Sequence, residues 1–135
     1  MSDDDSDIRA PREMVDLFGH DERPTSGDEA LAPGAAVLRG FARERAAELL
    51  EGIRLVTASA PFRHLLTPGG FTMSVAMTNC GEAGWLSDRT GYRYDRIDPD
   101  SGKPWPPMPP AFVALARAAA ARLDFSPFAP DVCLI

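Results

Sequence analysis

Apolar positions change their period several times along this chain, and each change marks an element. "AAVLRGF", residues 35–41, is a short apolar run of the kind that suits a buried strand. Beyond it Ala42, Ala46, Leu49, Ile53 and Val56 recur three or four residues apart, with Arg43, Glu44, Arg45, Glu48 and Glu51 on the other side. That period predicts an amphipathic helix, ended near Ser59–Pro61 because a proline pushes its predecessor out of the helical region. "TPGG", residues 67–70, reads as a turn. In "FTMSVAMT" the period is two, with Phe71, Met73, Val75 and Met77 on one face and Thr72, Ser74, Ala76 and Thr78 on the other, which predicts a strand. "NCGEAG" breaks it, and "GYRYDRI", residues 91–97, predicts a second strand able to pair with the first across a long connection. A proline-rich loop, residues 98–110, ends in two prolines that suit a helix start, ahead of the alanine-rich "AFVALARAAAARL". The closing "DVCLI" opens a further strand, which needs a neighbour already in place.

Strands and helices of this kind predict an α+β class. The 135 residues suffice for one domain with a core, and 13 prolines with 11 glycines favour a turn-rich fold over a helical bundle. No apolar run approaches a membrane span, and the acidic start "MSDDDSDIRAPREM" lacks the apolar segment of a secretory signal. The expectation is a cytoplasmic monomer. The net charge of −6 argues against nucleic acid until its distribution is seen. Residues 1–30 hold ten acidic and three basic side chains, leaving ten acidic and eleven basic on residues 31–135. The acidity therefore belongs to a tail, expected to be disordered, in which Val15 and Phe18 stand at helical spacing and either dock as one turn or stay loose. Cys80 and Cys133 are too few and too far apart in sequence for a zinc site or a disulfide framework, and read as small buried or half-buried thiols in a reducing compartment.

A search for catalytic groups finds little. Neither His20 nor His64 has a carboxylate two residues on, so the His-x-Asp of an iron triad is absent. There is no phosphate loop and no nucleophile elbow. Binding groups are better supplied. Trp85, Tyr92 and Tyr94 stand beside Arg89, Arg93 and Arg96, a pairing of aromatic faces and guanidinium groups that suits stacked bases and phosphates. Aromatic residues in a β-rich segment are more often packing than ligand-binding; the glycines at 81, 84 and 91 and the neighbouring arginines tilt the balance towards a site. On a strand Tyr92 and Tyr94 share a face and Arg93 takes the other. Trp105, between prolines, reads as a packing plug for its loop.

The run "PFRHLLTPGGFTMSVAMTNCGEAGWLSDRTGYRYDRIDPDSGKPWPPMPPAF", residues 61–112, resembles the N-terminal region of bacterial AlkB-type iron(II)- and 2-oxoglutarate-dependent dioxygenases, which repair alkylated bases in DNA. The likeness runs from about residue 31 to the end. It implies the N-terminal extension and nucleotide-recognition lid of a double-stranded β-helix (jelly-roll) enzyme, with residues 1–30 as a separate tail. It also implies a substrate-binding set: Trp85 stacking on a flipped alkylated base, Tyr92 hydrogen-bonding the phosphate backbone, and Arg93 and Tyr94 beside them. Thr67, Met77 and Phe71 line the lid, Phe71 standing where the family often has tyrosine, and Leu134 lies beside the 2-oxoglutarate pocket. In the family, the segment matching "DVCLI" runs on into an Asn-x-Tyr that binds 2-oxoglutarate and a His-x-Asp that binds iron; here the sequence ends at Ile135. The resemblance therefore implies a truncated piece. Its intact enzyme uses Fe(II) and 2-oxoglutarate to demethylate 1-methyladenine or 3-methylcytosine in DNA or RNA, single strands preferred, while this chain alone binds no cofactor and is inactive. The alternatives are a non-catalytic module for single-stranded nucleic acid and a non-functional remnant.

Overall fold

The computed structural model describes residues 27–135; the earlier acidic stretch, with Val15, Phe18 and His20, lies outside the described residues. Two helices and four two-stranded antiparallel ladders make up the rest. The first ladder pairs β1 (Gly27–Ala32) with β2 (Ala35–Arg39), so residues 27–30, assigned to the tail from composition, are part of a hairpin. The expected buried strand at 35–41 is instead the second arm of that hairpin and is largely open to solvent, because an apolar run marks a strand without saying that a second layer covers it. The hairpin is tied to the body by an Asp28–Arg122 ion pair of 2.7 Å.

A single 3-10 turn leads into α1 (Ala46–Ser59), close to the expected bounds. Val56, near the end of its predicted apolar face, is buried, and so is Gly52. A glycine in mid-helix costs about 1 kcal/mol against alanine. Here it is required, since a Cβ at Gly52 would come within 2.8 Å of the Phe112 ring on the second helix, α2 (Pro110–Arg122). Helix α2 begins where the proline pair predicts, with Pro109 as N-cap residue in extended conformation and Pro110 in the first turn.

Strand β3 (Arg63–Leu66) has no counterpart in the sequence reading, and it takes the partner expected for residues 91–97. It pairs with β4 (Thr72–Met77) through the Thr67–Gly70 turn. The "GYRYDRI" segment, read as the partner of β4, pairs instead with β6 (Gly84–Asp88) as β7 (Gly91–Asp95). Local turn closure decides the outcome: each strand finds the neighbour two to five residues away before the distant one. Between the hairpins "NCG" does not merely break a strand. It forms β5 (Asn79–Gly81), the neighbour that the closing segment β8 (Val132–Leu134) requires, and the ladder extends to Thr78–Ile135, which exchange two hydrogen bonds of 2.9 Å.

The core gathers where these pieces meet. Ala60, Leu86 and Trp105 pack together with Leu65 against them. The buried polar groups beside them are all partnered: Thr78 Oγ1 donates to Ala60 O (2.7 Å), Ser87 Oγ to Leu66 O (2.6 Å), and Asp98 accepts from Arg63. Trp105 is the plug expected of it. Its Nε1–H donates to Asp95 O (2.9 Å), Arg63 lies 5.3 Å over its ring, and its indole rests so closely on Gly84 that a Cβ there would overlap it. The predicted apolar face of β4 is different. Phe71 and Val75 are 76% and 64% exposed while Met73 and Met77 are half-buried, so the face alternates but is only partly covered among the described residues. No described helix is long and apolar enough to cross a membrane.

A candidate aromatic binding site

Strand β6 carries the site because its two faces are used differently. Leu86 points into the core, and Trp85, one residue away, points out. Register then sets the company Trp85 keeps. Tyr94 stands directly opposite it on β7, and Tyr92, two residues along on the same face, lies over its ring with centroids 5.7 Å apart and planes at 17°. The result is a stacked indole–phenol pair beside a second phenol, with both tyrosines more than 60% exposed.

Trp85 and Tyr94 form one wall of a cavity of about 810 Å³. Met77, at the end of β4, and Val132 and Leu134, on β8, supply apolar lining, and Asp131 is its acidic member. Four of the residues singled out from sequence therefore meet at one cavity: Trp85, Tyr94, Met77 and Leu134. Tyr92 joins them through its stack on Trp85.

The other three are placed elsewhere. Arg93 leaves β7 on the opposite face, as its position between the two tyrosines requires, and pairs with Asp88 at 2.6 Å. Arg93 therefore has an acidic partner within its own hairpin. Asp88 in turn accepts from the Thr90 hydroxyl and from Arg93, which hold its carboxyl down to about 2. Thr67 and Phe71 close the β3–β4 turn, where Phe71 N–H donates to Thr67 Oγ1 (3.1 Å) and Thr67 N–H to Phe71 O (2.8 Å). That hydroxyl is thus engaged as a turn acceptor. The turn lies against the β6–β7 turn, with the Arg89 guanidinium resting on Gly70, whose φ of +81° favours glycine.

Asn79 is the residue that sequence reasoning missed. Buried at 3% exposure, it aims its side-chain amide at the backbone of Trp85: Oδ1 accepts from Trp85 N–H (2.9 Å) and Nδ2 donates to Trp85 O (3.1 Å). One amide thereby satisfies both backbone groups of the aromatic residue. Asn79→Ala is expected to leave those groups unpaired, at about 1–3 kcal/mol of stability. It should also broaden and red-shift the Trp85 fluorescence, which is separable from Trp105 in a Trp105→Phe background. An unchanged spectrum would show that the clamp does not fix the indole.

Among the described residues no three His, Cys, Asp or Glu side chains come together as a metal site. His64, exposed on β3, donates from Nδ1 to Met73 O (2.9 Å).

Comparison with known proteins agrees with the family resemblance. Over 122 residues the chain is 52% identical to the alpha-ketoglutarate-dependent dioxygenase AlkB of Salmonella typhimurium and 50% identical to that of Escherichia coli, covering 90% of this chain and 55% of either relative. An AlkB homolog of Caulobacter vibrioides is 42% identical over 87 residues, 64% of this chain and 38% of its own length. The chain thus spans about half the length of the curated AlkB proteins it matches. The profile of the 2OG-Fe(II) oxygenase superfamily, a jelly-roll family, matches residues 34–135, three quarters of the sequence, and the chain belongs to that superfamily.

Proposed function

We propose that this chain supplies the nucleotide-gripping half of a dioxygenase that oxidatively removes alkyl groups from the ring nitrogens of bases such as 1-methyladenine and 3-methylcytosine. Residues 31–135 form the recognition unit and lid, and the family's Fe(II) and 2-oxoglutarate belong to the intact enzyme. The observation that carries the reading is the Trp85–Tyr92 stack on the rim of the 810 Å³ cavity. An alkylated ring nitrogen gives the base a positive charge, and an electron-rich indole face attracts it more than it attracts the neutral parent base. A cavity of this size, largely apolar and with one carboxylate at Asp131, suits a single extruded base. The exposed Tyr92 hydroxyl is available to a phosphate oxygen, and Arg89 and Arg96, both exposed, add positive charge near the same hairpin.

A titration of the 135-residue chain with single-stranded oligonucleotides, with and without one 1-methyladenine, tests the reading. Tighter binding of the alkylated strand is expected, and Trp85→Ala should weaken it about tenfold, the worth of one stacked base. Equal affinity for the two strands, or an unaffected Trp85→Ala variant, would remove the assignment. Binding of both strands alike, with loss in Trp85→Ala, would point to a module for single strands in general.

A further inference from the structure

Cys80 and Cys133, distant in sequence, stand directly opposite each other in the β5–β8 ladder. The neighbouring rungs fix what kind of pair they are. Thr78 and Ile135 exchange both backbone hydrogen bonds, and Glu82 N–H donates to Asp131 O (2.7 Å). Antiparallel rungs alternate, so Cys80 and Cys133 occupy a hydrogen-bonded position as well, with Cα atoms about 5.5 Å apart. That separation lies within the roughly 4.4–6.8 Å that a disulfide spans, and directly opposed residues send their side chains to the same face.

Their surroundings divide the labour between them. Cys80 is wholly buried, with none of its surface exposed, whereas Cys133 is half-buried. A dissolved oxidant therefore reaches Cys133 and not Cys80. Cys133 Sγ lies 3.7 Å from Leu134 O, and the opposing Cys80 thiol lowers the Cys133 pKa, while that pairing and burial push Cys80 upward. The accessible sulfur is thus the more readily ionised of the two.

We infer that Cys80 and Cys133 form an oxidisable dithiol that a hydroperoxide closes into a cross-strand disulfide. The Cys133 thiolate attacks one peroxide oxygen, breaking the O–O bond, releasing hydroxide and leaving a sulfenic acid. Cys80 sulfur then displaces the sulfenic oxygen as water, giving the S–S bond. In sum two thiols and hydrogen peroxide become a disulfide and two waters, with both sulfurs oxidised by one electron each and the peroxide reduced by two. The product would staple β8 to β5. Val132 and Leu134 of β8 line the cavity, and Asn79 of β5 holds Trp85, so the bond would fix two walls of the site relative to each other. This inference does not depend on what the cavity binds.

Hydrogen peroxide at a small excess over the reduced 135-residue chain, followed by intact-mass analysis and peptide mapping, gives the test. The expected product is a monomer lighter by about 2 Da, containing a Cys80–Cys133 cross-linked peptide. In Cys80→Ser the reaction should stall at a Cys133 sulfenic acid that dimedone captures. In Cys133→Ser, Cys80 should oxidise at least about tenfold more slowly than Cys133 does in the unaltered chain. The inference is overturned if the wild-type chain accumulates oxidised Cys133 while Cys80 remains alkylatable after denaturation, or if Cys133→Ser oxidises as fast as wild type.

Discussion

Trp105→Ala is expected to lower stability by about 3–5 kcal/mol, the range for removing a large buried aromatic side chain, a large share of what a chain of this size has. Three losses coincide. The indole at 4% exposure is the largest member of the core cluster with Ala60 and Leu86. Its Nε1–H is the partner of Asp95 O, at the end of β7. And it is the surface on which Gly84 and Arg63 rest. Urea denaturation followed by circular dichroism would measure the cost. Trp105→Phe separates the contributions, since it keeps most of the apolar area and loses the hydrogen bond, with an expected cost of about 1–3 kcal/mol. If the two variants were equally mild, within about 1 kcal/mol of wild type, the loop around Trp105 would not be part of the core.

The second large effect concerns Arg63 and Asp98. Asp98 is 2% exposed and accepts two bonds from the Arg63 guanidinium, at 2.5 and 3.0 Å, with further bonds from Asp100 N–H and Ser101 Oγ at 3.0 Å. The guanidinium, first among these, holds the Asp98 carboxyl down to about 2. A carboxylate with a depressed folded-state value stabilises the fold above its unfolded value of about 3.9, and that stability is lost as pH falls towards the folded value. Wild type should therefore lose roughly 2 kcal/mol from this group between about pH 5 and pH 2. Arg63→Met removes the charge and keeps much of the stem, leaving a buried carboxylate unpaired, and is expected to cost about 3–5 kcal/mol at neutral pH. In that variant the loss with acid should shrink, because protonating Asp98 then relieves the unpaired charge. Asp88, also held to about 2, titrates in the same window, but it is paired with Arg93 and so is common to both proteins. Denaturation midpoints measured across that range decide the matter: parallel profiles for wild type and Arg63→Met would mean that Arg63 is not what holds Asp98.

Both helices were legible because their signals are local. A period of 3.6 runs through Ala42–Val56, and two prolines mark where α2 begins. Strand β4 was legible from its alternation, yet neither its partner nor its exposure was. Pairing depends on which turn closes, and β3, the four residues Arg63–Leu66, carries no alternation to announce it. Strand β6 hides for another reason. Trp85 and Leu86 are adjacent and both apolar, so a strand with one face in the core and one on a cavity shows no polar–apolar contrast. The aromatic members of the candidate site stand out by residue type, as Trp and Tyr beside Arg. Asn79 does not, because an Asn before Cys-Gly has the composition of a turn and its role depends on a backbone six residues on.

That amide also guards against a particular error. Trp85 and Leu86 differ by one position in a strand whose side chains alternate, so sliding β6 by a single residue against β7 would bury the indole and turn the leucine outward. Both residues are apolar enough that hydrophobic burial discriminates weakly between the two alignments. Asn79 does discriminate, because its oxygen and nitrogen are matched to the N–H and C=O of residue 85, and a slipped strand would present groups belonging to a different residue at another spacing. The choice between indole and leucine at the cavity is thus made by a polar side chain on a neighbouring strand.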